Sequence, residues 1–95
     1  MFVVLLKFSD NKSRASDFMQ GHNEWIKRGI DDRKFVLVGT IKPSAGGAIL
    51  AIDSSLAALQ ARVNADPFVA ENIVRAEILE ISPGKWDERL SFLAE

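Results

Sequence analysis

The chain contains one histidine, His22, at the head of the run "HNEWIKRG", residues 22–29. An imidazole takes or gives a proton near neutral pH, and its proton affinity falls on burial and rises beside a carboxylate. Phe18, His22, Trp25 and Ile26 share one face at helical spacing, so the ring sits among apolar side chains. On that ground alone, a packed core residue and a catalytic base are both open. The second residue of interest is Asp66, in "NADPFV", residues 64–69. Asp followed by Pro at the start of a helical turn is a standard cap. The residue before proline is also held to extended backbone angles, which narrows the directions its carboxylate can take. That suits capping, and it suits orienting an imidazole equally well. Taken together, His22 and Asp66 have a chemical logic. A carboxylate bonded to one ring nitrogen fixes the tautomer and steadies the imidazolium, leaving the other nitrogen as a general base.

Other chemistries have weaker support. The serines at 9, 13, 16, 44, 54, 55, 82 and 91 fall in caps, turns and the terminal segment, with no nucleophile elbow around any of them. With one His and no Cys, a metal site is not expected, and Asp31 and Asp32 are adjacent and cannot easily converge with His22 on one ion. No cofactor is expected either, since "AGG" at 45–47 is too short for a phosphate loop and reads as a hairpin turn. "KRGIDDRK" reads as a solvated loop, in which Arg28 or Arg33 could draw an anionic substrate to a pocket rim. Trp25 and Trp86 read as packing residues, and Phe68 as core, with a ligand contact also open to it.

The elements that must position these residues follow from pattern. Residues 2–8, "FVVLLKF", read as a strand. Ser13 or Ser16 can cap a following helix, which carries His22 and for which Gly29 is a natural stop. Residues 34–41 and 48–52 read as two strands joined by "KPSAGG". Asp53, Ser54 and Ser55 offer a cap for a helix over 56–65, with Leu56, Leu59, Gln60 and Val63 along one stripe. A short helical turn follows Asp66, then a strand over 74–81 and a terminal helix over 87–95 with Leu90 and Leu93 facing inward. Strand, helix, strand, strand, helix, strand predicts a ferredoxin-like α+β fold, a βαββαβ antiparallel sheet with the helices on one face.

Ninety-five residues, 47% of them hydrophobic and 26% charged, make one soluble domain over 1–95. A net charge of −1 argues against nucleic acid as a partner. The apolar opening "MFVVLLKF" lacks a basic lead and a cleavage site, and no stretch is long enough to span a membrane, so a cytoplasmic location is expected. With no cysteine there are no disulfides, and a small domain without staples needs an efficient core or a partner subunit. The strands point to the partner. Phe2, Val4, Leu6 and Phe8 occupy one face of the first strand, and Val3 and Leu5 the other. The second and third strands are apolar on both faces as well. A sheet with helices on one side usually alternates, so the helix-free face is expected to pack on a second copy, giving a homodimer.

These motifs, in their order and spacing, resemble the YciI-like family, the YCII-related domain. The resemblance rests on the hydrophobic first strand, "HNEWIKRG", "LVGT" at 37–40, the glycine-bearing turn, and above all "DSSLAALQARVNADPFV", residues 53–69. It spans residues 1 to about 85. What it implies is a dimeric α/β barrel with a His–Asp dyad in a cleft, falling here on His22 and Asp66. Members are similar to small dehydrochlorinases and muconolactone isomerases. Gly39-Thr40 stands where the family often has Gly-Pro, and the loop over 41–47 is short, so the pocket should differ in shape. The resulting expectation is a cofactor-free enzyme with His22 as general base in elimination or isomerisation of an unidentified small molecule. The alternative is a non-catalytic dimeric module that binds a small molecule or a protein.

Overall fold

The computed structural model describes residues 1–53 and 55–94. Strand β1, Phe2–Phe8, leads through a 3₁₀ turn at Lys12–Arg14 into helix α1, Ala15–Asp31. Strands β2, Phe35–Ile41, and β3, Gly46–Ala51, form a hairpin. Helices α2, Leu56–Asn64, and α3, Pro67–Ala70, precede strand β4, Val74–Glu80. The four strands lie in the order β2-β3-β1-β4, with every neighbouring pair antiparallel. With the helices on one face, this is the ferredoxin-like α+β fold expected from the pattern of elements.

The core lies between the sheet and the helices. Phe2, Val4 and Leu6 alternate inward from β1 and pack with Ile49 and Ala51 of β3. Trp25 from α1, Leu59 and Val63 from α2, and Phe68 from α3 close over them. Each large apolar side chain buried this way stabilises the fold by roughly 1.5–3 kcal/mol. The register of β2 on β3 shifts between Phe35 and Leu37. Phe35 is therefore buried with the core, and Leu37, only two positions on, is 58% exposed. On the helix-free side, Leu37 lies opposite Leu50 and Val3 opposite both Leu50 and Leu79. That face is apolar, as the strand composition predicts.

Several local expectations need correction. Neither Ser13 nor Ser16 caps α1. The helix opens at Ala15 with Arg14 in the cap position and no side-chain cap bond, because the 3₁₀ turn already delivers the chain in helical geometry. Gly29 does not end α1. The helix continues to Asp31, and Gly29 is buried where a Cβ would come within 2.1 Å of the Phe35 ring, so glycine is required there by packing. Ser55 caps α2, its hydroxyl accepting from the Ala58 N–H at 3.1 Å. Ser54, a competing cap, and Glu95, the end of the expected terminal helix, lie outside the described residues. The stripe on α2 narrows to Leu59 and Val63, since Leu56 and Gln60 are exposed. The glycines of "AGG" open β3, and the turn itself is made by residues 42–45. The tail forms 3₁₀ turns over Glu88–Ala94 with a kink at Leu90. Leu90 and Trp86 are exposed and Leu93 is half-buried, so neither Trp86 nor Leu90 packs inward. No helix among the described residues is long and apolar enough to cross a membrane.

Candidate active site

His22 and Asp66 meet because α1 and α3 approach closely one residue away from each. Gly21 faces Pro67, and a Cβ at position 21 would lie 3.2 Å from the proline Cγ. With the helices that close, the side chains of the next residues reach each other. His22 Nδ1 lies 2.8 Å from Asp66 Oδ1, across 44 positions of sequence. The Asp66 side chain is fully buried, and the His22 side chain keeps 14% exposure.

Asp66 fills both roles that its sequence position allowed. Its backbone is extended, with φ −65 and ψ 124, as a residue before proline must be. Oδ1 accepts from the Phe68 N–H at 3.0 Å and so caps α3. The same oxygen faces His22. An oxygen already accepting a backbone N–H is the acceptor toward the ring as well, so Nδ1–H donates. That leaves Nε2 with its lone pair and without a hydrogen-bond partner among the described residues. Oδ2 of Asp66 is buried without a partner among the described residues. Among the described residues His22 is the ionisable side chain that pairs with this buried carboxyl, and a buried polar group is tolerable only when hydrogen-bonded.

The imidazole is gripped on its face as well as its edge. The Phe68 ring stacks on it with centroids 3.9 Å apart and planes 3° from parallel. Trp25, one turn along α1, lies at 5.9 Å. Its own indole N–H donates to the Arg62 carbonyl at 2.8 Å, which anchors α1 to α2. Phe68 therefore lies both in the core and against the imidazole, and the sequence left both placements open.

His22 opens onto a cleft of about 490 Å³, a volume typical of small-molecule sites. Its apolar walls come from the helix-facing side of the sheet, including Leu6, Val38, Ile49 and Val74, with Ile26 and Phe68 from the helices. Asn23, Thr40 and Ser44 also line it, and all three are exposed, so they sit at its mouth. The sequence offered a signal for Asn23, which follows the histidine, and for Ser44, in the turn of the β2–β3 hairpin. Thr40 reaches the cleft from β2, within the Gly39-Thr40 pair that the sequence marks as shaping the pocket. Arg28 lies elsewhere, in a shallow depression with Trp25, Asp53 and Arg62, and Arg33 does not line the cleft. Neither arginine thus takes the rim position that the sequence left open to it. No three of His, Cys, Asp and Glu cluster closely enough among the described residues to hold a metal ion.

Fold and site together define a small ferredoxin-like α+β protein with a histidine–aspartate pair at the edge of an apolar cleft. No protein-family model matches the chain, and no curated protein matches it. Among solved structures it is similar to the 5-chloro-2-hydroxyhydroquinone dehydrochlorinase of Burkholderia phenoliruptrix, determined in complex with 2,5-dihydroxybenzoquinone. The TM-score is 0.71 at 14% identity, covering 88% of this chain and 96% of that one. The likeness establishes a shared fold.

Proposed function

We propose that the cleft is an active site in which His22 Nε2 acts as general base on a small molecule. The observation that carries this reading is the 2.8 Å contact from Nδ1 to the buried Asp66 Oδ1, with Nε2 left unpaired beside a cleft. Nε2 takes a proton from a hydroxyl, or from a carbon next to a carbonyl. The released electron pair then either expels a leaving group on the adjacent carbon or shifts along the conjugated system. In the second case Nε2–H returns the proton at a different carbon. Asp66 orients the ring throughout and balances the imidazolium that forms. A positioned base of this kind is worth roughly 10²–10⁴-fold in rate. A dehydrochlorinase of the same fold is in keeping with elimination, as is the resemblance to the YciI-like family carried by "HNEWIKRG" and "ADPF". Homodimerisation through the apolar helix-free face belongs to the same reading.

A second reading, a non-catalytic binding module, draws on one observation: Asp66 caps its own helical turn. Asp66→Asn separates the two. Asparagine is an equally good cap. The Phe68 N–H also holds the amide oxygen in the Oδ1 position, so the ring tautomer is preserved and only the charge is lost. The enzyme reading expects a folded variant with turnover reduced about 10²-fold or more, measured as halide release from chlorinated hydroxyhydroquinones or as deuterium uptake from D2O into ketone probes. His22→Ala should fold and assemble normally and be inactive. Full activity in a folded His22→Ala protein rejects the assignment.

A further inference from the structure

Among the described residues, charged side chains stay out of the cleft wall. Twenty-five of the 95 residues are Lys, Arg, Asp or Glu, from 12 cationic and 13 anionic side chains. None of those described lines the cleft. Among the described residues the only ionisable side chain in the wall is His22, and it is tied to a fully buried carboxyl. With Asp66 ionised, the His22–Asp66 pair carries a charge of −1 when the ring is neutral and zero when it is protonated, so it offers an anion no net positive charge. An anionic group entering this space loses hydration, finds no cation in the wall among the described residues, since Lys12 lies over the ring of the lining residue Phe8 without lining the cleft itself, and faces the field of Asp66.

We infer that the cleft selects uncharged ligands and excludes carboxylates and phosphates, and that its substrates are neutral molecules carrying a conjugated carbonyl or phenol. The second half rests on the general-base reading above. Removing a proton from a neutral substrate creates an anion whose one nearby counter-charge is the imidazolium. With no lysine, arginine or cluster of metal-ligating side chains at the wall, the substrate must delocalise much of the charge itself, onto a carbonyl or ring oxygen. The Asn23 amide and the Thr40 and Ser44 hydroxyls at the mouth are the donors available to that oxygen. The apolar floor formed by Leu6, Val38 and Ile49 takes the hydrocarbon part of the ligand.

The test compares two probes that differ by one carboxylate, resorcinol and 3,5-dihydroxybenzoate, in amide-resolved NMR titrations of the intact protein at pH 7. Resorcinol should shift the amides of Ile26, Thr40 and Phe68 saturably, and 3,5-dihydroxybenzoate should bind at least tenfold more weakly. Two variants read the cause. Asp66→Asn, which removes the buried charge, should narrow the gap, and Thr40→Lys, which puts a cation at the mouth, should narrow or reverse it. Equal or tighter binding of the carboxylate by the wild-type protein overturns the inference, as does failure of both probes to bind, or a gap that neither variant changes. Neutral preference intact with no turnover of any substrate leaves the charge rule standing and sinks the general-base reading. Turnover with no charge preference does the reverse.

Discussion

The phenyl ring of Phe68 lies parallel to the His22 imidazole, 3° from coplanar with centroids 3.9 Å apart, while its backbone N–H bonds the same Asp66 oxygen that holds Nδ1. One residue thus fixes the imidazole through its face and the carboxylate through the main chain. A stack of this kind is worth about 0.5–1.5 kcal/mol beyond the area it buries.

Phe68→Leu should keep the capping bond, which is a main-chain contact, and lose the stack. Unfolding in urea should show a loss of about 1–2 kcal/mol. Turnover should fall by more than that loss of stability explains, because the ring is freed to tilt. Nitrogen-15 spectra of the single histidine check this directly: one Nδ1–H tautomer in the parent protein, a mixture in the variant. A single unchanged tautomer removes any positioning role from Phe68.

Gly21 sets the spacing of the pair. A methyl group there meets Pro67 Cγ at 3.2 Å, which the proline can partly accommodate. Gly21→Ala should therefore retain activity within a few-fold. Gly21→Val adds two further carbons toward α3, and overpacking of this kind costs about 1–3 kcal/mol. It should also lengthen the His22–Asp66 contact and abolish turnover while leaving the sheet intact, as circular dichroism and the amide spectrum would report. An active Gly21→Val protein contradicts the spacing argument.

The helix-free face predicts association. Leu37 and Leu79 are 58% and 44% exposed on that side, beside Val3, Leu5 and Leu50. The parent chain should sediment as a dimer, and Leu37→Lys with Leu79→Lys should give a folded monomer. A monomeric parent at micromolar concentration would remove the face-to-face assembly.

Asp87 gives a pH readout outside the cleft. The Arg89 side chain, and then its backbone N–H, hold the Asp87 carboxyl below the ordinary aspartate value of 3.8. Because the folded value is depressed, the contact contributes above the unfolded pKa and is lost as pH falls through the folded one. Both groups are fully exposed, so the effect belongs to the tail and not to global stability. Carbon-13 titration of the carboxyl should show Arg89→Ala moving Asp87 back upward.

Much of this architecture was legible one-dimensionally because the signals are local. The β-branched and aromatic run "FVVLLKF", the helical spacing of Phe18, His22 and Trp25, and Asp-Pro at a helix start act over a few positions, through backbone sterics and side-chain direction. They located all four strands, the three helices and the two residues of the pair. Local signals failed where a distant partner overrides them. Gly29 reads as a stop, but Phe35 needs the space it leaves. Leu90 reads as an inward residue, but among the described residues it stays 43% exposed.

Composition and periodicity by themselves determined the ferredoxin-like order of elements, the apolar character of both sheet faces, and the presence of one base and one well-placed acid. They could not determine that His22 and Asp66 touch, that Asp66 is wholly buried, or that no charged side chain among the described residues lines the cleft beside them. Those facts depend on how α1 packs on α3, where Gly21 meets Pro67, and on which residues of α1 and the β2–β3 hairpin come to line one cleft. Contacts between groups 44 positions apart exist only once the loops are closed and the core is packed, so no window along the chain carries them.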